Sequence, residues 1–336
     1  MRKIDIFNHI YPGGYYERLM KVAPDYKDIG KRMRNIPMLA DLDERFRVMD
    51  RFDDYEQVLS LPTPPIEVFA APADAIDLAK AANDGMADLV RRYPERFTPF
   101  VAALPLGDPD ASVRELQRAV DELGARGFQI FSNIRGKPIS SPEFLPLFEA
   151  IAGYDLPIWM HPYRGADSAD FKTEDRSEFE IWWTFGWPYD TSAAMARLVF
   201  AGHFDRWPNL KIITHHMGAM APYFEGRIGP GWDQLGARTS DIDYGAVLKK
   251  LAKRPLDYFK MFYADTALFG AYDATVCGLR FFGPDRVVFA SDAPFDPERG
   301  PMYIRETIAI VDRLPVDEDE RAGIYFRNAR ALLKLK

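Results

Sequence analysis

At 336 residues, with 47% apolar and 28% charged side chains, the chain has the composition of a globular protein with a large core, and no apolar run approaches the roughly 20 residues of a membrane span. A net charge of -7 with no basic cluster interleaved with aromatics excludes the electrostatic footprint of a nucleic-acid binder, so a small molecule is the expected partner. The single cysteine, Cys277, cannot form an internal disulfide and suits a reducing cytoplasm.

"MRKIDIFNHI" (1–10) carries charges inside its apolar stretch and reads as a strand over 3–10, not as a secretory signal. Residues 11–42 are irregular and too long for a simple connection. Further near-continuous apolar runs at 55–62, 97–105, 126–132, 156–162, 210–216, 259–266 and 286–292 complete eight expected strands. Helical periodicity appears at 75–93, 111–127, 190–204 and 321–335, and a second long irregular stretch covers 163–190. Apolar strands alternating with helices predict an α/β fold, a (β/α)8 TIM barrel built as one domain over 1–336, with long loops after strands 1 and 5 lying over the catalytic face.

Four of the five histidines fall at expected strand ends. His9 ends strand 1, His161 ends strand 5, and His215 and His216 end strand 6, while Asp292 ends strand 8 and His203 lies apart. Active sites of this fold sit at the C-terminal strand ends, where histidines and a carboxylate suit zinc or a similar divalent ion. A side-chain period of two puts Asp5, Phe7 and His9 on one face of strand 1. By the same rule only one of His215 and His216 faces the barrel axis, and the other is expected to be a buried, hydrogen-bonded structural residue; spacing alone does not choose between them. Asp265, ending strand 7, is either an acceptor for a ligand histidine or a helix cap. Arg164, three residues past His161, is a candidate anion binder, with pairing to a nearby acid as the bland alternative. Trp182, Trp183, Trp187 and Tyr189 in the loop after strand 5 are either substrate wall or packing.

"IDIFNHIYP" (4–12), "LPIWMHP" (156–162), the stretch 185–228 that includes "THHMGAM", and "GPDRVVFASDAPF" (283–295) together resemble the amidohydrolase superfamily. The likeness is to its decarboxylase-like (amidohydrolase 2) branch, whose members include aminocarboxymuconate semialdehyde and γ-resorcylate decarboxylases. The resemblance spans nearly the whole chain. It implies the barrel, one divalent metal ion (zinc or manganese), and a homodimer or higher oligomer in which an arginine enters the neighbouring site. Carried over, His9, His161 and Asp292 are the metal ligands, and His216 is the strand 6 histidine that acts near the metal, which selects it over His215. His216 or Asp292 would deliver the proton, Arg227 would bind a substrate carboxylate across the dimer, and Arg34 would do so within the subunit. Phe7 departs from the family, which has a ligand there, and would instead offer the substrate an aromatic face. The implied activity is metal-dependent, non-oxidative decarboxylation of a small aromatic or dienoic carboxylic acid. Hydrolysis or hydration of a ring-cleavage product, lactone or amide on the same ligands, and a metal-free binding protein, are the competing readings.

Overall fold

The computed structural model describes residues 1–335. The expected apolar runs form eight parallel strands among the described residues: β1 (Lys3–His9), β2 (Tyr55–Ser60), β3 (Phe97–Phe100), β4 (Phe128–Phe131), β5 (Ile158–His161), β6 (Ile212–Thr214), β7 (Tyr263–Asp265) and β8 (Val287–Val288). Each is shorter than its apolar run, because the ladder ends before the run does. β3 and β4 meet through a parallel bridge between Ala102 and Phe128, and Gln129 N donates to Ala102 O at 3.0 Å. On the other side, Ile6 N donates to Phe289 O at 3.0 Å and Asp292 N to Phe7 O at 2.9 Å. These bonds carry the ring from β8 back to β1 and give the (β/α)8 barrel.

Period-two alternation divides the strand residues between two cores. Ile158, Met160 and Ile212 join the layer between strands and helices. Trp159, Ile213, Phe7, Val58 and Val288 join an inner cluster that Leu332 and Leu333 from the C-terminal segment complete. Covering both faces of a parallel sheet is why the strands read as continuous apolar runs.

The helices begin where sequence signals place them. Pro72 and Pro109 open Pro72–Arg92 and Pro109–Asp121, where a missing N–H costs nothing, and the Asp108 side chain caps the second by accepting from Ala111 N at 2.9 Å. The single helix expected over 321–335 is instead Glu318–Ala322, a π-helical turn Gly323–Arg327, and Asn328–Leu332. Asn328 donates to the carbonyls of Pro284 and Val287 at 2.8 Å each, and such wide turns are a known way to re-aim one side chain within a helix. The long loops contain short helices, Tyr15–Val22 and Ile29–Met33 after β1 and Ile181–Thr184 after β5. No helix among the described residues is long and apolar enough to cross a membrane.

Candidate metal centre and active site

β1, β5, β6 and the segment after β8 deliver four buried groups to one point. His9 ends β1; its Nδ1 lies 3.0 Å from Leu61 O and its Nε2 2.9 Å from Asp292 Oδ1. His161 ends β5 with Nδ1 2.6 Å from Pro162 O. A carbonyl oxygen can only accept, so both rings donate from Nδ1 and turn Nε2 to the shared point, where the lone pair is free for an ion once no proton sits between His9 and Asp292. Trp159 pairs with Ile213 across β5 and β6, so the inward parity that carries His161 to the axis also carries His215. His215 Nδ1 donates to the Asp265 carboxylate, and its Nε2 is 3.4 Å from Asp292 Oδ1, buried and without a hydrogen-bond partner.

One ligand atom from each of His9, His161, His215 and Asp292 lies within 4.8 Å of the others, and all four residues are buried. Three imidazoles, each with Nδ1 tied to an oxygen, aimed at one carboxylate form a donor set that fits a single divalent ion. Asp265 therefore serves as the acceptor behind a histidine; it also accepts from Ala267 N at 3.1 Å, and the next helix starts only at Tyr272.

The charges are coupled. Burial opposes ionisation of Asp292, but the adjacent His215 and the His216 and His9 imidazoles that face it hold its carboxyl well below the usual range. Burial alone would lower His215, yet the Asp265 and Asp292 carboxylates carry it up to about 9. Burial, with His215 and His9 nearby, pushes His161 well below its ordinary value. A divalent cation competes for the same Nε2 lone pairs and would displace any proton held there.

His216 does not vanish beneath a helix. The chain leaves β6 with His216 at φ +56°, Met217 at +53°, Gly218 at +73° and Ala219 at +55°, and this left-handed run returns the His216 ring over His215 with centroids 3.7 Å apart. His216 Nε2 is 3.8 Å from Asp292 Oδ2, and burial and His215 push its titration below the ordinary value. Asp292 itself sits at φ +60°. Left-handed backbone costs a non-glycine residue on the order of 1–3 kcal/mol, and such strain clusters at functional sites.

Above the group opens a cavity of about 970 Å³, lined by His161, His216 and Asp292 at its floor and by residues of both long loops. Trp182, Trp183 and Trp187 form one wall, Phe269, Phe295 and Tyr303 another. Phe269 stacks on Tyr303 at 4.2 Å and meets His216 edge-on at 5.5 Å. Arg32, from Ile29–Met33, lines the cavity and donates to the Phe295 carbonyl.

The structure places the remaining expected residues elsewhere. Phe7 is fully buried, its ring centroid 4.1 Å from His215 and 5.2 Å from His9; it is a floor beneath the four ligand atoms, not a cavity wall. Arg164 lies in a separate cavity of about 610 Å³, 3.6 Å from Asp190. Arg34 is exposed and turned to the Tyr26 carbonyl at 3.1 Å. Arg227 is exposed above the Phe224 ring, and Tyr189 stands in solvent. Sequence reasoning missed Arg32, Phe269, Phe295 and Tyr303 and gave His215 only a structural role. Strand pairing carries a signal for His215, but loop 11–42 has no period that separates Arg32 from Arg34.

The family model described as amidohydrolase matches residues 4–335. The chain belongs to the amidohydrolase family. This amidohydrolase is 32% identical over 268 residues to the 2-amino-3-carboxymuconate-6-semialdehyde decarboxylase of Dictyostelium discoideum, covering 79% of this chain and 70% of that one. It is 31% identical over 319 residues to the gamma-resorcylate decarboxylase of a Polaromonas species, covering 93% and 91%. A Polaromonas dihydroxybenzoic acid decarboxylase solved with manganese and the inhibitor 2-nitroresorcinol superimposes with a TM-score of 0.79 at 28% identity, covering 99% of this chain and 97% of that one.

Proposed function

We propose that this amidohydrolase is a carboxy-lyase that removes carbon dioxide, without redox chemistry, from a small aromatic or dienoic carboxylic acid. The observation that carries the reading is an aromatic-walled cavity ending on three inward imidazoles and one carboxylate, with two guanidiniums on its lining, Arg32 from the loop after β1 and Arg176, 3.5 Å from Asp28, from the loop after β5. The similarity to these decarboxylases supports it.

His9, His161 and Asp292 would hold one divalent ion, zinc or manganese, which when bound positions and polarises substrate oxygens. The flat substrate packs against the tryptophan and Phe269 walls, and Arg32 holds an anionic oxygen through charge-assisted hydrogen bonds. Asp292 presents Oδ1 to His9 and Oδ2 to His216, so a proton can pass from His216 through Oδ2 to the carbon that bears the carboxylate. That carbon gains the proton, the C–C bond breaks with its electron pair left on the ring, and carbon dioxide departs.

The reading extends to one domain over 1–336, a cytoplasmic setting consistent with the free Cys277, and a homodimer or larger assembly. Arg227, exposed beside the exposed Tyr223, would act across the subunit boundary; light scattering that finds only monomers removes that role. The direct test is carbon dioxide release from hydroxybenzoic and dienoic acids by metal-loaded wild type and Arg32→Ala. Wild type should release one carbon dioxide per substrate consumed, and Arg32→Ala should raise KM about tenfold or more. Turnover of esters, lactones or amides without carbon dioxide release would establish hydrolysis instead.

A further inference from the structure

His215 is more than a support for its neighbours. Its Nδ1 is held by Asp265, its Nε2 is the buried nitrogen left without a partner, and it lies on the inward parity of β6 with Ile213. The position facing it from β1 is the Phe7 ring at 4.1 Å, which has no lone pair to give. An ion seated between His9, His161 and Asp292 thus meets a further imidazole from β6, and hydrocarbon at the Phe7 position of β1. Without an ion to accept it, an unpaired ring nitrogen at this depth costs on the order of 1–3 kcal/mol.

Given the divalent ion of the proposed function, we propose that His215 is its fourth protein ligand and that the shell is consequently dominated by imidazole, which suits zinc better than manganese. Three neutral nitrogens and one carboxylate leave a divalent ion with one net positive charge at the cavity floor, where the anionic end of a carboxylic acid must bind. Oxygen-rich shells suit manganese, and each imidazole moves a site toward zinc. Asp265 is the positioning residue: it fixes the tautomer that points Nε2 inward, as acceptors behind ligand histidines do.

The experiment measures metal binding, not turnover, so its outcome is independent of whether the substrate class is right. Chelated wild type, His215→Asp, His215→Gln and Asp265→Asn are titrated with zinc and with manganese, and cobalt-loaded samples are followed by their visible spectra. His215→Gln should weaken zinc at least about tenfold and change the cobalt spectrum, and Asp265→Asn should weaken it about 10–100-fold with a smaller spectral change. His215→Asp, which offers oxygen in place of nitrogen, should narrow the zinc-to-manganese affinity ratio about tenfold. Circular dichroism decides whether each variant is folded, and Asp265→Asn carries the test if the His215 variants are not. A folded His215→Gln, or Asp265→Asn in its place, with unchanged zinc affinity and an unchanged cobalt spectrum overturns the assignment.

Discussion

His9, His161 and His215 present Nε2 because something else holds Nδ1, and His216 differs from all three. Its Nδ1 is buried without an acceptor, and its Nε2 faces the second oxygen of Asp292. That difference separates the proposed proton carrier from the proposed ligands. His216→Asn should lower kcat by about 10²–10⁴ while metal content per chain, measured by plasma mass spectrometry, stays at the wild-type value. A second buried acid lies in the loop after β2. Neither carboxylate oxygen of Glu67 meets a neighbouring donor among the described residues, although Arg135 donates to its backbone carbonyl at 2.7 Å. Burial raises its pKa from 4.5 to about 7, so the folded protein retains a proton that the unfolded chain has already released. Stability therefore falls as pH rises from about 4.5 to 7 and is flat above. Glu67→Gln removes that loss, and its advantage over wild type should widen by up to about 3 kcal/mol between pH 4 and 8 in urea titrations.

The turn after β6 is the element that makes both histidines useful. A strand continued straight through His216 would send that side chain away from the axis, and the left-handed run bends it back. Gly218 permits the bend: a Cβ there would lie 2.5 Å from the Phe282 ring, at φ +73°. Gly218→Ala should cost about 2 kcal/mol or more by denaturant titration and reduce activity through His216. Gly226→Ala is the control, since a Cβ there meets nothing within 4 Å. This turn also marks where the sequence stops being readable. Eight apolar runs showed the strands because both faces of each strand are covered, and the ends of those runs located His9, His161 and Asp292 at the rim. Alternation requires His215 and His216 to diverge, and it holds for the strand but not for the four residues that leave it. Arg32 was hidden for a related reason, because a loop's side-chain directions depend on tertiary contacts such as the Phe295 carbonyl that receives it.

At the scale of the molecule the ligand atoms come from β1, β5, β6 and the segment beyond β8, so a bound ion links both ends of the chain to its middle. Chelation should lower the melting temperature, and restoring the ion at about 100 times its Kd should return roughly 2.7 kcal/mol, read by calorimetry with circular dichroism confirming the same fold. The seam where β1 meets the segment beyond β8 has a consequence for how the protein comes into being. His9 and Asp292 are 283 residues apart, and the Phe7 carbonyl waits for the amide of Asp292. During synthesis β1 emerges well before the segment beyond β8 and stays an open edge until that segment has followed it. Closure around an ion therefore waits for Asp292, and a ribosome that stalls before that residue leaves a product with three of the four ligands and β1 unpaired on its open side.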